Sequence, residues 1–196
     1  MPKLFYEYDG TNVTVSGTAK AEASGVSITD TKNSTEYVGN AKLNGDFGTE
    51  VMFETTLKMS NTEDGWTGHS TQQRFAFQVT ESGKGFVLWA WHDGVDKTNI
   101  RSLASLTNGM DESGTMFTEQ KEVEMGWIYT ALTSEQGARI RIVRQNTSIK
   151  LMIYKDGEWV EVAEITCDEE DKTVFGLYGM TADYTYSDIT VSQNIS

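Results

Sequence analysis

Residues 138–165, ARIRIVRQNTSIKLMIYKDGEWVEVAEI, carry the clearest fold signal in the chain. Apolar and polar residues alternate through three runs, which are separated by Asn146-Thr147 and Asp156-Gly157. A period of two is typical of strands with one buried face, and Asp-Gly between such runs is a strong hairpin signal. The pattern therefore predicts two consecutive hairpins whose shared core face carries Ile140, Ile142, Ile149, Leu151, Ile153, Val160 and Val162.

The other face of the second hairpin carries an aromatic pair. Tyr154 lies opposite Trp159 when Asp156-Gly157 forms the turn. Cross-strand aromatic pairs contribute about 0.2 to 1 kcal/mol to a sheet. The pattern favours a structural role for this pair over contact with a ligand.

Strand-like alternation recurs along the rest of the chain, and no amphipathic helix stands out. Pro is nearly absent, while Gly, Asn and Asp recur between the runs, which suits many strands joined by tight turns. The length of 196 residues and the uniform composition predict one all-β domain over residues 1–196. The predicted strands lie near 12–17, 24–30, 35–43, 49–58, 73–80, 85–92, 97–104, 114–124, 127–132, 138–145, 148–155, 158–165, 173–179 and 186–193.

Charge and cysteine content narrow the classes of partner. The chain carries 16 basic and 29 acidic residues, a formal net charge of −13, which disfavours nucleic acid and anionic membranes as partners. Cys167 has no second cysteine to pair with, and no Cys/His cluster suits zinc. The sequence shows no apolar run long enough to insert in a membrane and no signal peptide. We therefore expect no nucleic-acid partner and no membrane insertion.

Residues 74–92, RFAFQVTESGKGFVLWAWH, predict a second informative hairpin. With Ser82 and Gly83 as central turn residues, one face is wholly apolar. The predicted pairs are Val79 with Phe86, Phe77 with Leu88, Phe75 with Ala90, Ala76 with Trp89 and Arg74 with Trp91. The opposite face then carries Arg74, Ala76, Gln78, Val87, Trp89 and Trp91.

Such a face has the chemistry of a sugar-binding platform. The apolar face of a pyranose stacks on an aromatic ring, and its hydroxyls need donors and acceptors such as Arg74 and Gln78. The alternative is that Trp89 and Trp91 are core residues, as large aromatic side chains on strands usually are. His92, at the strand end beside Trp91, is a candidate donor to a sugar hydroxyl, and Trp66 or Trp127 could close the site from a loop.

The C-terminal third resembles a known fold family. Its hairpins, followed by Phe175-Gly-Leu-Tyr-Gly and a closing run Tyr186-Ser-Asp-Ile-Thr-Val, look like the second half of a concanavalin A-like lectin/glucanase sandwich. The likeness is greatest to the laminin-G-like and carbohydrate-binding-module branches. It implies a two-sheet antiparallel jelly-roll sandwich, often with a concave sugar-binding sheet and sometimes with a structural calcium. The resemblance makes Asp188, on the closing strand, a candidate calcium ligand.

Catalytic and metal motifs are weak. Glycosidases of this fold carry an E-x-D-x-E-type strand, and the nearest run, Glu122-Val-Glu124, lacks a third carboxylate. No nucleophile elbow occurs. Asp93, Asp96 and Asn99 offer oxygen ligands for calcium without an EF-hand loop pattern, and the acidic run 168–171 is interpreted as a solvated turn.

The sequence thus predicts a noncatalytic carbohydrate-binding module or lectin-like domain of an extracellular or cell-surface bacterial protein, as part of a larger multidomain chain. Its expected ligand is a polysaccharide or oligosaccharide, such as starch, β-glucan or xylan, because the acidic surface suits a neutral glycan better than an anionic one. The first alternative is a protein-binding or structural adhesin domain. The second is a glycoside hydrolase or polysaccharide lyase of the same fold.

Overall fold

The core of the protein lies between two antiparallel sheets. The structure is a computed structural model that describes residues 3–29, 39–60, 72–91, 97–106, 115–123, 126–180 and 182–193, with the backbone alone for 72–74, 89–91, 97–106 and 115–123. The elements in these ranges are β1 Leu4–Glu7, β2 Val13–Gly17, β3 Ala19–Ala21, β4 Gly25–Ile28, β5 Gly39–Leu43, β6 Glu50–Ser60, β7 Gln72–Thr80, β8 Gly85–Trp91, β9 Lys97–Leu106, β10 Thr115–Val123, α1 Gly126–Thr133, β11 Ala138–Gln145, β12 Ser148–Lys155, β13 Glu158–Thr166, β14 Thr173–Met180 and β15 Asp183–Gln193.

The strands form two layers. Seven strands of the eight-stranded sheet follow the order β13-β12-β11-β6-β15-β4-β3. The eighth strand, β1, pairs with the C-terminal part of β15. The seven-stranded sheet runs β10-β9-β8-β7-β14-β5-β2. All of these pairings are antiparallel. The predicted all-β, two-sheet antiparallel sandwich is therefore confirmed.

Aromatic side chains join the two sheets across the core. Phe53 of the eight-stranded sheet stacks on Phe175 of the seven-stranded sheet, with ring centroids 4.9 Å apart and an interplanar angle of 18°. Phe77 contacts Tyr186 edge to face at 6.0 Å. Such pairs add about 0.5 to 1.5 kcal/mol each beyond the area they bury. The core is thus a continuous aromatic layer that fixes the two sheets against each other.

The two hairpins of residues 138–165 are confirmed. Gln145 pairs with Ser148 and Lys155 pairs with Glu158, so each turn has two central residues. Asn146 and Asp156 adopt positive φ angles of 54° and 51°, as tight hairpin turns require. Six of the seven predicted core residues are buried, and the seventh, Val160, packs against the core while partly exposed.

The predicted register of the β7–β8 hairpin is wrong by two residues. Phe77 pairs with Phe86 and Arg74 pairs with Trp89. The turn is centred one residue earlier than predicted, because the Gly83 amide donates to the Thr80 carbonyl at 3.0 Å and Gly83 has a φ of 98°. This is the arrangement of a turn followed by a glycine bulge, which suits the positive φ of Gly83. A shift of two residues leaves every side chain on its predicted face.

The predicted strand at 127–132 is wrong, because residues Gly126–Thr133 form helix α1. Ile128 and Leu132 are fully buried, and Trp127 and Ala131 pack against the core. Apolar residues at 127, 128, 131 and 132 have the spacing of a helix face. The β-forming residues Ile128, Tyr129 and Thr130 concealed that period in the sequence.

Candidate functional site

The outer face of the seven-stranded sheet, opposite the core, is named here the platform face. Phe75, Phe77 and Val79 of β7 are buried in the core, so the alternating positions Arg74, Ala76 and Gln78 belong to the platform face. The pairing of β7 with β8 places the positions Val87, Trp89 and Trp91 on this same face. The backbone therefore brings together the four strand positions predicted to bind sugar: Arg74, Gln78, Trp89 and Trp91.

Cross-strand pairing extends the platform face beyond β7 and β8. Trp89 pairs with Arg74 on one side and with Asn99 on the other. Glu122 of β10 pairs with Asn99 in the same row. Asn99, which the sequence offered as a calcium ligand, thus occupies a strand position beside Trp89. The row across the sheet runs Met180, Arg74, Trp89, Asn99 and Glu122.

The centre of the platform face differs from the expected open surface. Ala76 pairs with Val87, and the two residues are 0% and 1% exposed. Neither residue is available for contact with a large ligand in this state. In the part of the face where side chains are described, the accessible polar groups lie instead on β7, β14, β5 and β2: Gln78, Tyr178, Asn40, Lys42, Thr14 and Ser16.

Tyr178 and Gln78 form the best-defined polar pair on this face. The Tyr178 hydroxyl donates to Gln78 Oε1 at 3.0 Å, and Gln78 Nε2 donates to the Thr80 carbonyl at 2.9 Å. Burial raises the pKa of Tyr178, so its phenol stays protonated at neutral pH. The Gln78 amide retains a second N–H and a second lone pair on Oε1 for another partner. The pair thus offers a half-buried aromatic ring with polar groups at its edge.

Two features hold Tyr178 in place. Tyr186, fully buried in the core, donates its hydroxyl to the Tyr178 carbonyl at 3.0 Å. Gly176 lies beside the ring, since a Cβ added there would be 3.0 Å from Tyr178 Cε2 and 3.2 Å from Gln78 Cβ. The absence of a side chain at Gly176 therefore lets Tyr178 and Gln78 approach each other.

Sequence reasoning did not single out Tyr178 as a site residue. The signal was present in Phe175-Gly-Leu-Tyr-Gly, where a period of two places Tyr178 on the face opposite Phe175 and Leu177. Its partner Gln78 lies 100 residues earlier, so the pair depends on the long-range pairing of β14 with β7.

The predicted loop residues have different outcomes. Trp66, His92, Asp93 and Asp96 lie outside the described residues. Trp127 does not lie in a loop: it is on helix α1, packs against the core, and has the Lys155 ammonium 5.1 Å from its ring centroid. Because Lys155 belongs to β12 of the eight-stranded sheet, the expected closure of the platform face by Trp127 has no support in these contacts.

Asp188 lies on the opposite side of the sandwich from the platform face, in a cavity that Glu54 and Arg139 also line. Glu54 is already ion-paired with Arg141, with Nη2 and Oε1 2.5 Å apart. A calcium site needs six to eight oxygen ligands, several of them carboxylates. Among the residues that the structure describes, no group of three or more His, Cys, Asp or Glu side chains could hold a metal ion, so the surroundings of Asp188 do not fit calcium.

Known proteins share the fold without sequence similarity. No protein-family model matches the sequence, and no curated protein matches it. The CBM2 module of the evolved Dit of Lactobacillus casei BL23 phage J-1 is similar over 100% of this chain and 97% of its own, with a TM-score of 0.62 and 11% identity. The legume lectin-like domain from Entamoeba histolytica is similar over 94% of this chain and 91% of its own, with a TM-score of 0.63 and 12% identity.

A third similar structure is the exoplasmic/lumenal domain of VIP36, solved with Ca²⁺ and Man3GlcNAc bound. It covers 100% of this chain and 91% of its own, with a TM-score of 0.63 and 12% identity. These likenesses show the fold of the chain, which is a two-sheet antiparallel jelly-roll sandwich. The particular fold is the concanavalin A-like one, as the resemblance of the C-terminal third implied.

In the described part of the chain, no helix reaches the length and apolar character that crossing a bilayer requires.

Proposed function

We propose that this protein is a noncatalytic, lectin-like carbohydrate-binding domain that binds a neutral polysaccharide or oligosaccharide on its platform face. One observation carries the proposal. The strand register gathers Arg74, Gln78, Trp89 and Trp91 on the outer face of a sheet in a fold whose similar structures include a carbohydrate-binding module and sugar-bound lectin-like domains.

Binding would combine stacking with hydrogen bonds. Trp89 and Trp91 supply aromatic surface for the apolar faces of successive sugar rings, and Arg74 and Gln78 supply groups for their hydroxyls. Tyr178 supplies a separate half-buried ring on β14, where it adjoins Gln78 and is divided from β8 by the buried Ala76 and Val87. The rigid core beneath β7 and β14 preorganises these strands, so little ordering would be needed on binding.

A neutral glycan suits the charge of the chain. The formal net charge of −13 repels uronic and sulfated polysaccharides at long range. Starch, β-glucan and xylan are therefore the preferred ligand classes.

The number of carboxyl groups on the platform face supports a noncatalytic role. Glycoside hydrolysis by the usual route needs two carboxyl groups flanking the scissile bond. Within the described strands, one acidic residue occupies a position on the platform face: Glu122 of β10, which pairs with Asn99. Its sequence neighbour Glu124 lies outside the described residues.

The cellular setting belongs to the same proposal. It rests on the resemblance of the C-terminal third to carbohydrate-binding modules and lectin-like domains. We therefore expect the chain to work in an extracellular bacterial protein with several domains.

The test compares the affinities of the wild type and of the Trp89→Ala and Trp91→Ala variants for insoluble starch, β-glucan and xylan. Aromatic stacking is worth about 1 to 3 kcal/mol per ring by analogy with bases, so either change should weaken binding about tenfold or more. Phe5→Ala is a matched control, because Phe5 is an exposed aromatic residue on β1 of the other sheet. Its removal should leave binding unchanged.

Two results would overturn the proposal. If either tryptophan variant loses about 3 to 5 kcal/mol of stability while any binding persists, the tryptophan is a core residue. If reducing ends accumulate on prolonged incubation and Glu122→Gln abolishes their release, the domain is an enzyme.

A further inference from the structure

The outer face of the eight-stranded sheet contains a cavity of about 300 Å³. Glu54, Thr56, Arg139, Trp159 and Asp188 line it. It lies across the core from the platform face, because β6, β11, β13 and β15 all belong to the eight-stranded sheet. The volume is at the lower end of the range of small-molecule sites, about 300 to 1,000 Å³, so it suits one small ring and not a chain of them.

One wall of the cavity is an aromatic and arginine cluster. Trp159 and Tyr154 contact each other edge to face, with ring centroids 5.3 Å apart. The Arg141 guanidinium lies 3.9 Å from the Trp159 ring centroid, and Glu54 holds it there through hydrogen bonds of 2.9 Å and 2.5 Å. The predicted pairing of Tyr154 with Trp159 is confirmed, and these contacts fix the position of the indole.

The opposite wall is formed by a bulge in β15. The register of β15 shifts between Ser187 and Thr190, and Asp188 within this bulge has a φ of 51°. The left-handed conformation is disfavoured for most residues other than glycine, and Asp and Asn tolerate it best. Bulges re-aim side chains and are frequent beside binding sites. Here the bulge brings an exposed carboxylate to the cavity that Arg139 and Trp159 line.

The carboxylates of Glu54 and Asp188 and the guanidinium of Arg139 line the cavity, and Arg141 neutralises Glu54 from beside it. Glu54 is paired with Arg141, while Arg139 and Asp188 form no ion pair among the described residues. Arg139 contacts the rings of Tyr154 and Trp159 at 4.8 Å and 5.2 Å. The two guanidinium groups disfavour a cationic ligand, and the two carboxylates disfavour an anionic one. The cavity therefore suits a neutral molecule that is rich in hydroxyl groups.

We propose that this cavity is a second carbohydrate site, separate from the platform face, which binds a single neutral sugar ring. The carboxylates of Asp188 and Glu54 accept hydrogen bonds from sugar hydroxyls, and Arg139 donates to a hydroxyl oxygen. Because the Arg141 guanidinium already covers Trp159 at 3.9 Å, the apolar side of the sugar contacts the part of the indole that lines the cavity. The site uses no residue of the platform face, so it stands independently of the proposed function.

The experiment is ¹⁹F NMR of the protein labelled with 5-fluorotryptophan. Each of the five tryptophans gives its own resonance, and Trp159→Phe identifies that of Trp159. The probes are glucose, mannose, galactose and xylose, with galacturonate and glucosamine as charged counterparts. We expect at least one neutral sugar to shift the Trp159 resonance saturably, and the shift to persist in the Trp89→Ala variant.

Two variants test the polar groups of the cavity. Asp188→Asn removes the charge and keeps a residue that tolerates the left-handed conformation, so the bulge should survive. Arg139→Met removes the guanidinium. Because a hydrogen bond to a charged group contributes about 1.5 to 3 kcal/mol, each change should raise the dissociation constant about tenfold or more. Lys150→Met is the control, since Lys150 pairs with Glu161 on the same sheet and does not line the cavity.

Several results would overturn this proposal. The first is that none of the four neutral sugars shifts the Trp159 resonance. The second is that only galacturonate or glucosamine shifts it. The third is that Asp188→Asn and Arg139→Met both leave the dissociation constant of the sugar unchanged while their melting temperatures equal that of the wild type. If the insoluble polysaccharides do not bind while a neutral sugar still shifts the Trp159 resonance, the platform face is contradicted and this site stands.

Discussion

Arg144 should be the polar side chain on which the stability of the sandwich depends most. It is fully buried at the end of the core. Its Nε donates to the Asn146 carbonyl at 3.0 Å, and its Nη1 donates to Thr173 Oγ1 at 2.9 Å. Further bonds to backbone carbonyls of the acidic run reach Asp168 at 3.1 Å, Glu169 at 3.4 Å, and Asp171. The acidic run 168–171 was interpreted from the sequence as a solvated turn. Its backbone carbonyls in fact accept hydrogen bonds from the buried Arg144 guanidinium.

The expected cost of Arg144→Met follows from these bonds. Each hydrogen bond to a charged group is worth about 1.5 to 3 kcal/mol, but the carbonyls of exposed Asp168 and Glu169 can bind water when the guanidinium is gone. The desolvation cost of the buried charge is also removed. We therefore expect a loss of about 2 to 4 kcal/mol. For a chain of this length, that lowers the melting temperature by about 4 to 16 °C.

Urea and thermal unfolding followed by circular dichroism would measure the loss. Arg144→Lys keeps the charge without the planar fork and should fall between the wild type and the methionine variant. Lys150→Met, at an exposed ion pair, should change stability by less than about 1 kcal/mol. If Arg144→Met costs less than about 1 kcal/mol, the buried guanidinium does not hold the acidic run as argued.

Four further predictions concern single groups. Although partial burial raises the pKa of Asp171, hydrogen bonds from Ser82 and Thr80 outweigh it and the pKa is lowered, so Asp171→Asn should destabilise the protein at neutral pH. The difference from the wild type should begin to shrink as the pH falls below about 4, the ordinary pKa at which the carboxyl of the unfolded chain is protonated, and should vanish once the pH is also below the lowered pKa of the folded carboxyl; a difference independent of pH in acid titrations would refute this. Tyr186→Phe removes the hydrogen bond to the Tyr178 carbonyl and should cost about 1 kcal/mol in urea unfolding, with no effect if that bond is not formed. Gly176→Ala should weaken glycan binding on the platform face, because its Cβ would stand 3.0 Å from the Tyr178 ring and 3.2 Å from Gln78 Cβ; equal affinity in the folded variant would separate Tyr178 from the site. A structural calcium, expected from the resemblance, predicts a lower melting temperature in chelator that calcium restores and magnesium does not, whereas identical melting curves would argue against it.

The sequence predicted the strands well because local alternation determines them. The runs around Ile140, Leu151 and Phe77 alternate cleanly, and their turns carry residues that accept positive φ. Helix α1 was missed because its β-forming residues outweighed a weak helical period over eight residues. Strands β1 and β3, of four and three residues, were not predicted.

The candidate sites were harder to predict than the strands. The pairing of Tyr178 with Gln78 requires β14 to lie beside β7, and the cavity at Trp159 requires β13, β11, β6 and β15 to assemble in order. No local pattern contains this information. The bulge at Asp188 is likewise a property of how β15 meets β6, and its sequence reads as an uninterrupted strand. Residues within one hairpin could be grouped from the sequence, and residues on distant strands could not.

The same period of two that builds the core also builds both candidate sites. On β7 the odd-numbered residues Phe75 and Phe77 are buried, which leaves Gln78 on the platform face. On β11 the even-numbered Ile140 and Ile142 are buried, which leaves Arg139 beside Trp159. A register error of one residue would have exchanged core and surface on a strand, whereas the observed shift of two kept every face intact. The strand positions on the platform face were therefore predicted correctly despite the error in the turn. The cross-strand pairs were not, since Trp89 pairs with Arg74 and not with Ala76.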